Sequence, residues 1–143
     1  MYKKILVCFD GSEGSQGAHL QAIELAKQND AVITALWVRG TLPHHPETVD
    51  EIEQEKEATD LFWQKLKREL QKTASQNGIK IDSECLFGNP SKTILEYSER
   101  GGFDVIVLGN RGHSGLWGRF LGHTADRVSE NATCSVLIVR PRA

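Results

Sequence analysis

Short, unbroken apolar runs alternate with helical patterns along the chain, and this alternation constrains the fold more than any other feature. Four runs of strand length occupy residues 5–9, 31–38, 104–108 and 135–139, and a further segment, residues 79–87, alternates imperfectly and is predicted to be a partly exposed strand. Between the first two runs, Ala18, Ala22, Leu25 and Ala26 recur at helical spacing, which predicts an amphipathic helix over residues 15–29. An unbroken apolar run is typical of a strand that is buried on both faces. The sequence therefore predicts the element order βαβαβαβαβ.

Start and stop signals support the remaining helices. Thr48 and Glu51 have the spacing of a capping box, and Gly78 is placed to end the long helix that they begin. Asn89 and Pro90 form an N-cap followed by proline at the first helical position. A last helix is predicted over about residues 122–130, after a glycine-rich segment.

The element order predicts an α/β fold of one domain, since 143 residues fit a single domain. Strands that are separated by helices run parallel, and right-handed crossovers place the helices on both faces of the sheet. In such folds a ligand binds outside the carboxyl ends of the strands, where the strand order reverses. If the order is 3-2-1-4-5, this point lies between the first and fourth strands. The loops after Phe9 and Leu108 then face each other.

Composition excludes several classes of protein. A formal net charge of −2 argues against a dedicated nucleic-acid binder, which is usually strongly basic. The apolar runs are shorter than the roughly 18 residues of a transmembrane helix, so no membrane insertion is expected. Cys8, Cys85 and Cys134 are widely spaced and odd in number, which favours a reducing compartment. We therefore expect a cytoplasmic protein.

The segment after the fourth predicted strand is rich in glycine. It contains Gly109, Gly112, Gly115, Gly118 and Gly122, and it leads into the last predicted helix. Glycine lets the backbone approach a ligand closely, and a helix N-terminus favours an anion. The segment therefore suggests a phosphate cradle, although it matches neither a Walker A loop nor the Gly-x-Gly-x-x-Gly fingerprint. The alternative is a surface loop whose glycines serve only tight turns.

The chain resembles the universal stress proteins, specifically their ATP-binding branch. That branch carries Gly-x2-Gly-x9-Gly followed by Ser or Thr, and this chain has Gly109-Asn110-Arg111-Gly112, nine residues, and then Gly122. The segment 5–12 and the terminal segment 135–140 also read like the family. The resemblance implies a Rossmann-like fold of the adenine-nucleotide alpha-hydrolase type. This is a five-stranded parallel sheet in the order 3-2-1-4-5, formed by one universal stress protein domain over residues 1–143.

The same resemblance implies ATP and Mg²⁺ as ligands. Asp10 would lie near the ribose and phosphates and help to hold Mg²⁺, and Val38 would offer its backbone to adenine. One position departs from the family, because His123 follows Gly122 and the hydroxyl residue, Thr124, comes one place later. The full set of candidate nucleotide-binding residues is Cys8, Phe9, Asp10, Val38, Gly109, Asn110, Arg111, Gly112, Gly122, His123 and Thr124.

Other chemistries fit the sequence less well. Asp10 and Ser12, with either His113 or His123, could form a Ser-His-Asp hydrolase triad, but the chain lacks a Gly-x-Ser-x-Gly elbow. His44 and His45 are adjacent in a polar loop, which is a poor arrangement for one metal ion. The three tryptophans, Trp37, Trp63 and Trp117, are expected to pack rather than to stack on a ligand. No catalytic residue is predicted.

The leading hypothesis is a cytoplasmic ATP-binding stress or signalling protein whose nucleotide state alters its partner interactions. The partner itself is not predicted. ATP hydrolysis is expected to be slow or absent. The alternatives are a slow ATP-hydrolysing or nucleotidyl-transferring enzyme on the same fold, and an interaction module without nucleotide binding. The resemblance also implies a homodimer through the last strand, whereas Arg140, Pro141 and Arg142 favour a monomer if they blunt that edge.

Overall fold

The computed structural model describes residues 1–39, 48–110 and 118–140, with the backbone alone for residues 118–122. Within these ranges strands and helices alternate as predicted. The strands are β1 (Lys4–Cys8), β2 (Val32–Arg39), β3 (Ile81–Phe87), β4 (Val105–Gly109) and β5 (Ser135–Val139). The helices are α1 (Glu13–Asn29), α2 (Val49–Asn77), α3 (Pro90–Gly101) and α4 (Gly118–Asn131).

The five strands form one parallel sheet in the order β3-β2-β1-β4-β5, which confirms the predicted fold. Ile5 in β1 pairs with Ile33 in β2 on one side and with Val105 in β4 on the other. The order therefore reverses between β1 and β4, and β3 and β5 are the two edges. This topology places the residues that follow β1 and β4 at the same end of the sheet.

Each face of the sheet has its own apolar core. Ile5 and Val7 of β1 face α1 and α2, where Leu66 and Leu70 of α2 are fully covered. Leu6 of β1 faces the other side, in a cluster that contains residues of α3 and α4. Successive strand residues point to opposite faces, so a strand covered by helices on both sides needs apolar residues at every position. This explains the unbroken runs in the sequence.

Capping residues lie at both the starts and the ends of helices, largely where the sequence predicts. The Thr48 hydroxyl accepts a hydrogen bond from the Glu51 amide at 3.1 Å, and the Asn89 side chain accepts one from the Lys92 amide at 3.1 Å. Gly78 ends α2 with a left-handed backbone, at φ 64°. These contacts join residues three or four apart, which is why the sequence alone predicts them.

Several predicted boundaries are wrong by a few residues. Helix α1 begins at Glu13 rather than at Ser15, and Gly109 is the last residue of β4 rather than part of the following loop. The larger error concerns α4, which begins at Gly118 and not near Gly122. Glycine disfavours helix by only about 1 kcal/mol, so tertiary contacts can override that preference. The described helices include none with the length and apolar content of a membrane span.

Candidate functional site

Two loops leave the sheet side by side where the strand order reverses. Val7 pairs with Val107, so the ends of β1 and β4 lie at the same level and are followed by Asp10 and Asn110. The Asn110 amide donates a hydrogen bond to the Val139 carbonyl oxygen at 3.0 Å. Each loop therefore starts from a fixed backbone at the edge where α/β folds bind ligands.

Asp10 is held by a short hydrogen-bond network that includes the start of α1. Its Oδ1 accepts a hydrogen bond from the Ser12 amide at 2.9 Å, and its own amide donates to Ser15 Oγ at 3.3 Å. Ser12 Oγ caps α1 by accepting from the Ser15 amide at 3.2 Å. Both serines are buried. The network fixes the Asp10 loop, and it gives Ser12 a capping role in place of the nucleophilic role in the triad alternative.

Gly109 lies where the backbone of α1 closely approaches β4. A Cβ atom at this position would lie 2.7 Å from the Gly14 carbonyl oxygen and 2.8 Å from its carbon. Real Cβ atoms do not approach backbone atoms this closely, so any side chain here would push α1 away from the sheet. Gly109 thus has a packing role that does not depend on a ligand. Sequence reasoning had no signal for it, because Gly14 is 95 positions away.

The side chains of Cys8 and Phe9 belong to the core. Cys8 is 8% exposed and packs in the α3 and α4 cluster, whereas Phe9 is 5% exposed and packs in the α1 and α2 cluster. Burial, with a smaller contribution from the charge of Asp10, raises the pKa of the Cys8 thiol to about 12. A thiol with this pKa stays protonated at neutral pH and is a poor nucleophile.

Val38 offers backbone groups at the end of β2. The Leu36 carbonyl oxygen accepts a hydrogen bond from the Phe9 amide at 2.9 Å, so Leu36 points its backbone groups toward β1. Val38 is two residues farther along, and backbone groups two apart point the same way. At that level β1 has already ended, at Cys8. The amide and carbonyl of Val38 therefore point over the end of β1, toward the side where Asp10 lies.

Asn110 carries an unsatisfied acceptor. Its Oδ1 atom is buried and accepts no hydrogen bond from the described part of the protein. A buried acceptor without a partner costs about 1–3 kcal/mol, so such a group in a native protein calls for an explanation. Asn110 lies beside Asp10 where the strand order reverses, so a hydrogen-bond donor on a bound ligand is a simple explanation.

Three of the remaining candidates, Gly122, His123 and Thr124, lie on α4. His123 is exposed, and Thr124 is buried with 6% exposure, on the face of α4 that also buries Ala125 and Val128. Because α4 begins at Gly118, the backbone of Gly122 lies beyond the first turn, where the free amide groups of a helix are. The free amides therefore belong to the residues near Gly118. Arg111 and Gly112 lie outside the described residues.

The other candidates from the sequence have mixed outcomes. Trp37 packs against Phe62 and Trp63 with ring centroids 5.1 and 6.0 Å apart, which confirms a packing role for the first two tryptophans. Trp117, His44, His45 and His113 lie outside the described residues. Within the described ranges there is no group of three or more His, Cys, Asp or Glu side chains arranged for a metal ion.

Sequence reasoning missed the buried polar residues of α1. Ser15 and His19 are 1% and 5% exposed, on the same face as Ala18 and Ala22. A polar side chain by itself predicts exposure, and only its helical spacing with the alanines could have marked it as inward-facing.

Comparisons with known proteins agree with this architecture. A family model described as "Universal stress protein family" matches residues 1–140. A universal stress protein of Methanocaldococcus jannaschii is 35% identical, covering 98% of this chain and 83% of that protein. The solved structure of the universal stress protein UspA from Lactobacillus plantarum superposes with a TM-score of 0.84 at 28% identity, covering 97% and 98% of the two chains. A universal stress protein solved in complex with cAMP shares the fold, with a TM-score of 0.70 at 24% identity over 96% and 97% of the chains.

Proposed function

The chain belongs to the universal stress protein family, and from this premise we propose that it binds an adenine nucleotide, ATP with Mg²⁺, where β1 and β4 end. In this proposal the nucleotide state sets the interactions of a cytoplasmic stress or signalling module with its partners. The complex of a related protein with cAMP supports an adenine nucleotide as the class of ligand.

The observation that carries the proposal is the buried Oδ1 atom of Asn110, which has no hydrogen-bond partner among the described residues. A ribose carries hydroxyl donors, and a hydroxyl placed between the two loops would satisfy this acceptor. A ligand that supplies the missing hydrogen bond recovers free energy that the protein alone cannot. The site residues therefore fit a nucleotide better than a ligand that carries only acceptors.

The neighbouring groups suit the other parts of ATP. The Val38 amide and carbonyl are a donor and acceptor pair, which matches the hydrogen-bonding edge of adenine. Asp10 would supply a carboxylate oxygen to Mg²⁺, which binds nucleotides through one or two carboxylates and the phosphates. Bound Mg²⁺ offsets the negative charge of the triphosphate. Gly112, Gly122, Arg111, His123 and Thr124 remain candidates for the phosphate end, on the basis of the family motif.

Asn110→Ala is the most direct test, because we expect it to weaken ATP binding without lowering the stability of the fold. Removing the unsatisfied buried Oδ1 atom leaves the free energy of unfolding unchanged or higher, whereas ATP affinity falls by about tenfold through loss of the ribose contact. Urea unfolding and isothermal calorimetry measure the two quantities. A variant that binds ATP as tightly as the parent would contradict the assigned role of Asn110.

Asp10→Asn separates the charge of this side chain from its loop contact. Asparagine retains an oxygen that accepts from the Ser12 amide, so the loop stays fixed while the carboxylate is lost. We expect the variant to lose the gain in ATP affinity that Mg²⁺ gives the parent. Asp82→Asn, on edge strand β3, is the matched control and should bind like the parent. An equal Mg²⁺ effect in parent and Asp10→Asn would argue against Asp10 as a ligand.

The nucleotide itself is identified by comparing ATP, ADP, AMP and cAMP on the same protein. Absence of heat and of thermal stabilisation with all four at millimolar concentration would reject the proposed function. Gly112→Val tests the phosphate motif, and we expect it to abolish binding while the circular dichroism spectrum is retained. We expect ATP turnover well below the roughly 1 s⁻¹ of an ordinary kinase.

A further inference from the structure

The His19 imidazole is buried and has no hydrogen-bond partner in the part of the chain that the structure describes. The side chain is on α1 and is 5% exposed, and neither Nδ1 nor Nε2 has a partner in the described structure. Its ring lies against Phe9, with centroids 5.3 Å apart. Most buried polar groups are paired, and a leucine would fill this apolar position without an unsatisfied nitrogen.

The strands packed against α1 offer His19 no charged partner. Strands β4 and β5 contain no titratable residue. On β1, Lys4 lies over the Phe103 ring and Cys8 packs in the α3 and α4 cluster, so both belong to the opposite face of the sheet. On β2, Arg39 forms an ion pair with Asp60 at 3.5 Å.

The surrounding helices and loop do not supply a partner either. Glu24 and Lys27 of α1 contact each other at 3.9 Å, and the Glu13 side chain is exposed. From α2, Lys67 lies over the Trp63 ring. Asp10 in the preceding loop accepts from the Ser12 amide. Burial alone therefore lowers the pKa of His19 to about 4, and the ring is neutral at pH 7.

A proton on this ring places an unpaired charge in an apolar core. That state is relieved when the ring reaches water, and movement of α1 away from the sheet would allow this. The same helix contacts the end of β4 and the loop that carries Asp10. Its residue Gly14 packs on Gly109, and its residue Ser15 accepts from the Asp10 amide.

We propose that His19 is an acid-sensitive switch: protonation of its ring undocks the first half of α1 from the sheet and releases the loop that carries Asp10. The effect on ATP rests on the proposed function, whereas the undocking does not. The signal to which this switch responds is a fall in pH.

The expected size of the pH effect on undocking follows from the pKa of the His19 ring in the docked and undocked states. An undocked, solvated histidine has an ordinary pKa of 6.5, and the docked one has a pKa of about 4. Linkage between these values raises the undocked population about 20-fold between pH 7 and pH 5. A nucleotide that needs the docked state loses apparent affinity once the undocked state makes up a sizeable fraction of the protein.

Native-state hydrogen exchange on the full chain measures the undocking directly. After correction for the intrinsic exchange rates, the opening constants of amides 10–20 should rise about 20-fold from pH 7 to pH 5. They should also exceed those of β4 amides at pH 5. His19→Leu should remove the pH dependence. The matched control is the double variant His19→Leu with Leu20→His, which restores a histidine at a neighbouring site that is 61% exposed. Its opening constants should not depend on pH.

Three results would overturn the switch. One is an unchanged pH response in His19→Leu, and another is a single opening constant shared by α1 and β4, since that describes global unfolding only. The third is an NMR titration midpoint of His19 near 6.5, which can be measured in the parent protein without any variant. If ATP binds, its affinity ratio between pH 7 and pH 5 should be larger in the parent than in His19→Leu, because phosphate titration is common to both. If ATP does not bind at pH 7, the proposed function fails and the exchange result still decides the switch.

Discussion

Single glycines in this protein serve different purposes, and the structure separates them. Gly109 is required because Gly14 of α1 occupies the space where a side chain would be. Gly17 is one turn further along the same helix, and a Cβ there would meet Val139 at an ordinary 4.0 Å. The sequence shows two glycines, whereas the packing shows one that tolerates substitution and one that does not.

Gly109→Ala should therefore destabilise the fold, by about 2 kcal/mol, because overpacking in a closely packed region costs about 1–3 kcal/mol. Gly17→Ala is the control and should be neutral or stabilising by up to about 1 kcal/mol, since alanine favours helix. Urea unfolding of both variants measures the difference. Equal stability in the two variants would mean that the approach of α1 to β4 is looser than the structure shows.

Acid should also destabilise the protein through His19. The pKa of this side chain is about 4 in the folded state and 6.5 when exposed, so the unfolded chain binds more protons between these values. The contribution is fully present above pH 6.5 and is lost as the pH falls toward 4. The loss is about 3 kcal/mol by pH 4. The parent should lose this much more stability than His19→Leu in urea unfolding at pH 7 and pH 4.

Among the elements, α2 is stabilised unevenly along its length. Its buried residues are Leu66 and Leu70, in the second half, whereas Val49, Ile52 and Leu61 of the first half are exposed. Apart from the Arg39–Asp60 ion pair and the contact of Phe62 with Trp37, the first half depends on local effects, which are the Thr48 cap and the acidic residues of the first turn at the positive end of the helix dipole. Such a segment unfolds locally without disrupting the core.

Thr48→Ala should thus act locally. Loss of an N-cap costs about 1 kcal/mol, and the weakly packed first half of α2 should absorb this cost by fraying. Hydrogen exchange of amides 51–58 should become faster, while the urea midpoint changes little. Thr59→Ala, in the helix interior, is the comparison that keeps the cap intact. A fall of the urea midpoint as large as that of a core substitution would contradict the local role.

For the whole molecule, the edge strand β5 is the candidate surface for pairing with a second copy of the chain. The structure confirms that β5 is an edge strand, and Leu137 on it is 39% exposed. An edge strand has unpaired backbone groups that can pair with a second chain. The other edge, β3, carries the exposed charges of Asp82 and Glu84, which discourage such pairing.

We therefore expect a homodimer through β5, with a mass of about twice 15.9 kDa in light scattering at micromolar concentration. Leu137→Glu should shift the protein to monomer by placing a charge beside the paired edge. Leu61→Glu, which changes a leucine that is 70% exposed on α2, should leave the dimer intact. A monomeric parent would reject the dimer.

At all three scales the same division separates what the sequence predicts from what it does not. The alternation of elements, the Thr48 and Asn89 caps and the end of α2 at Gly78 were predictable, because they depend on residues within about four positions. The strand order followed from the family resemblance, and the structure confirms it. The carboxyl ends of β1 and β4 were then identified as the site.

The identity of the groups at that site depended on tertiary structure. The contact of Gly109 with Gly14, the buried Asn110 oxygen and the direction of the Val38 backbone groups all involve segments that are distant in sequence. The start of α4 at Gly118 also differs from its local preference. His19 is the clearest case, since the sequence shows only a polar residue on a helix. Its burial, and with it the acid sensitivity, exists only because α1 packs that face on the sheet.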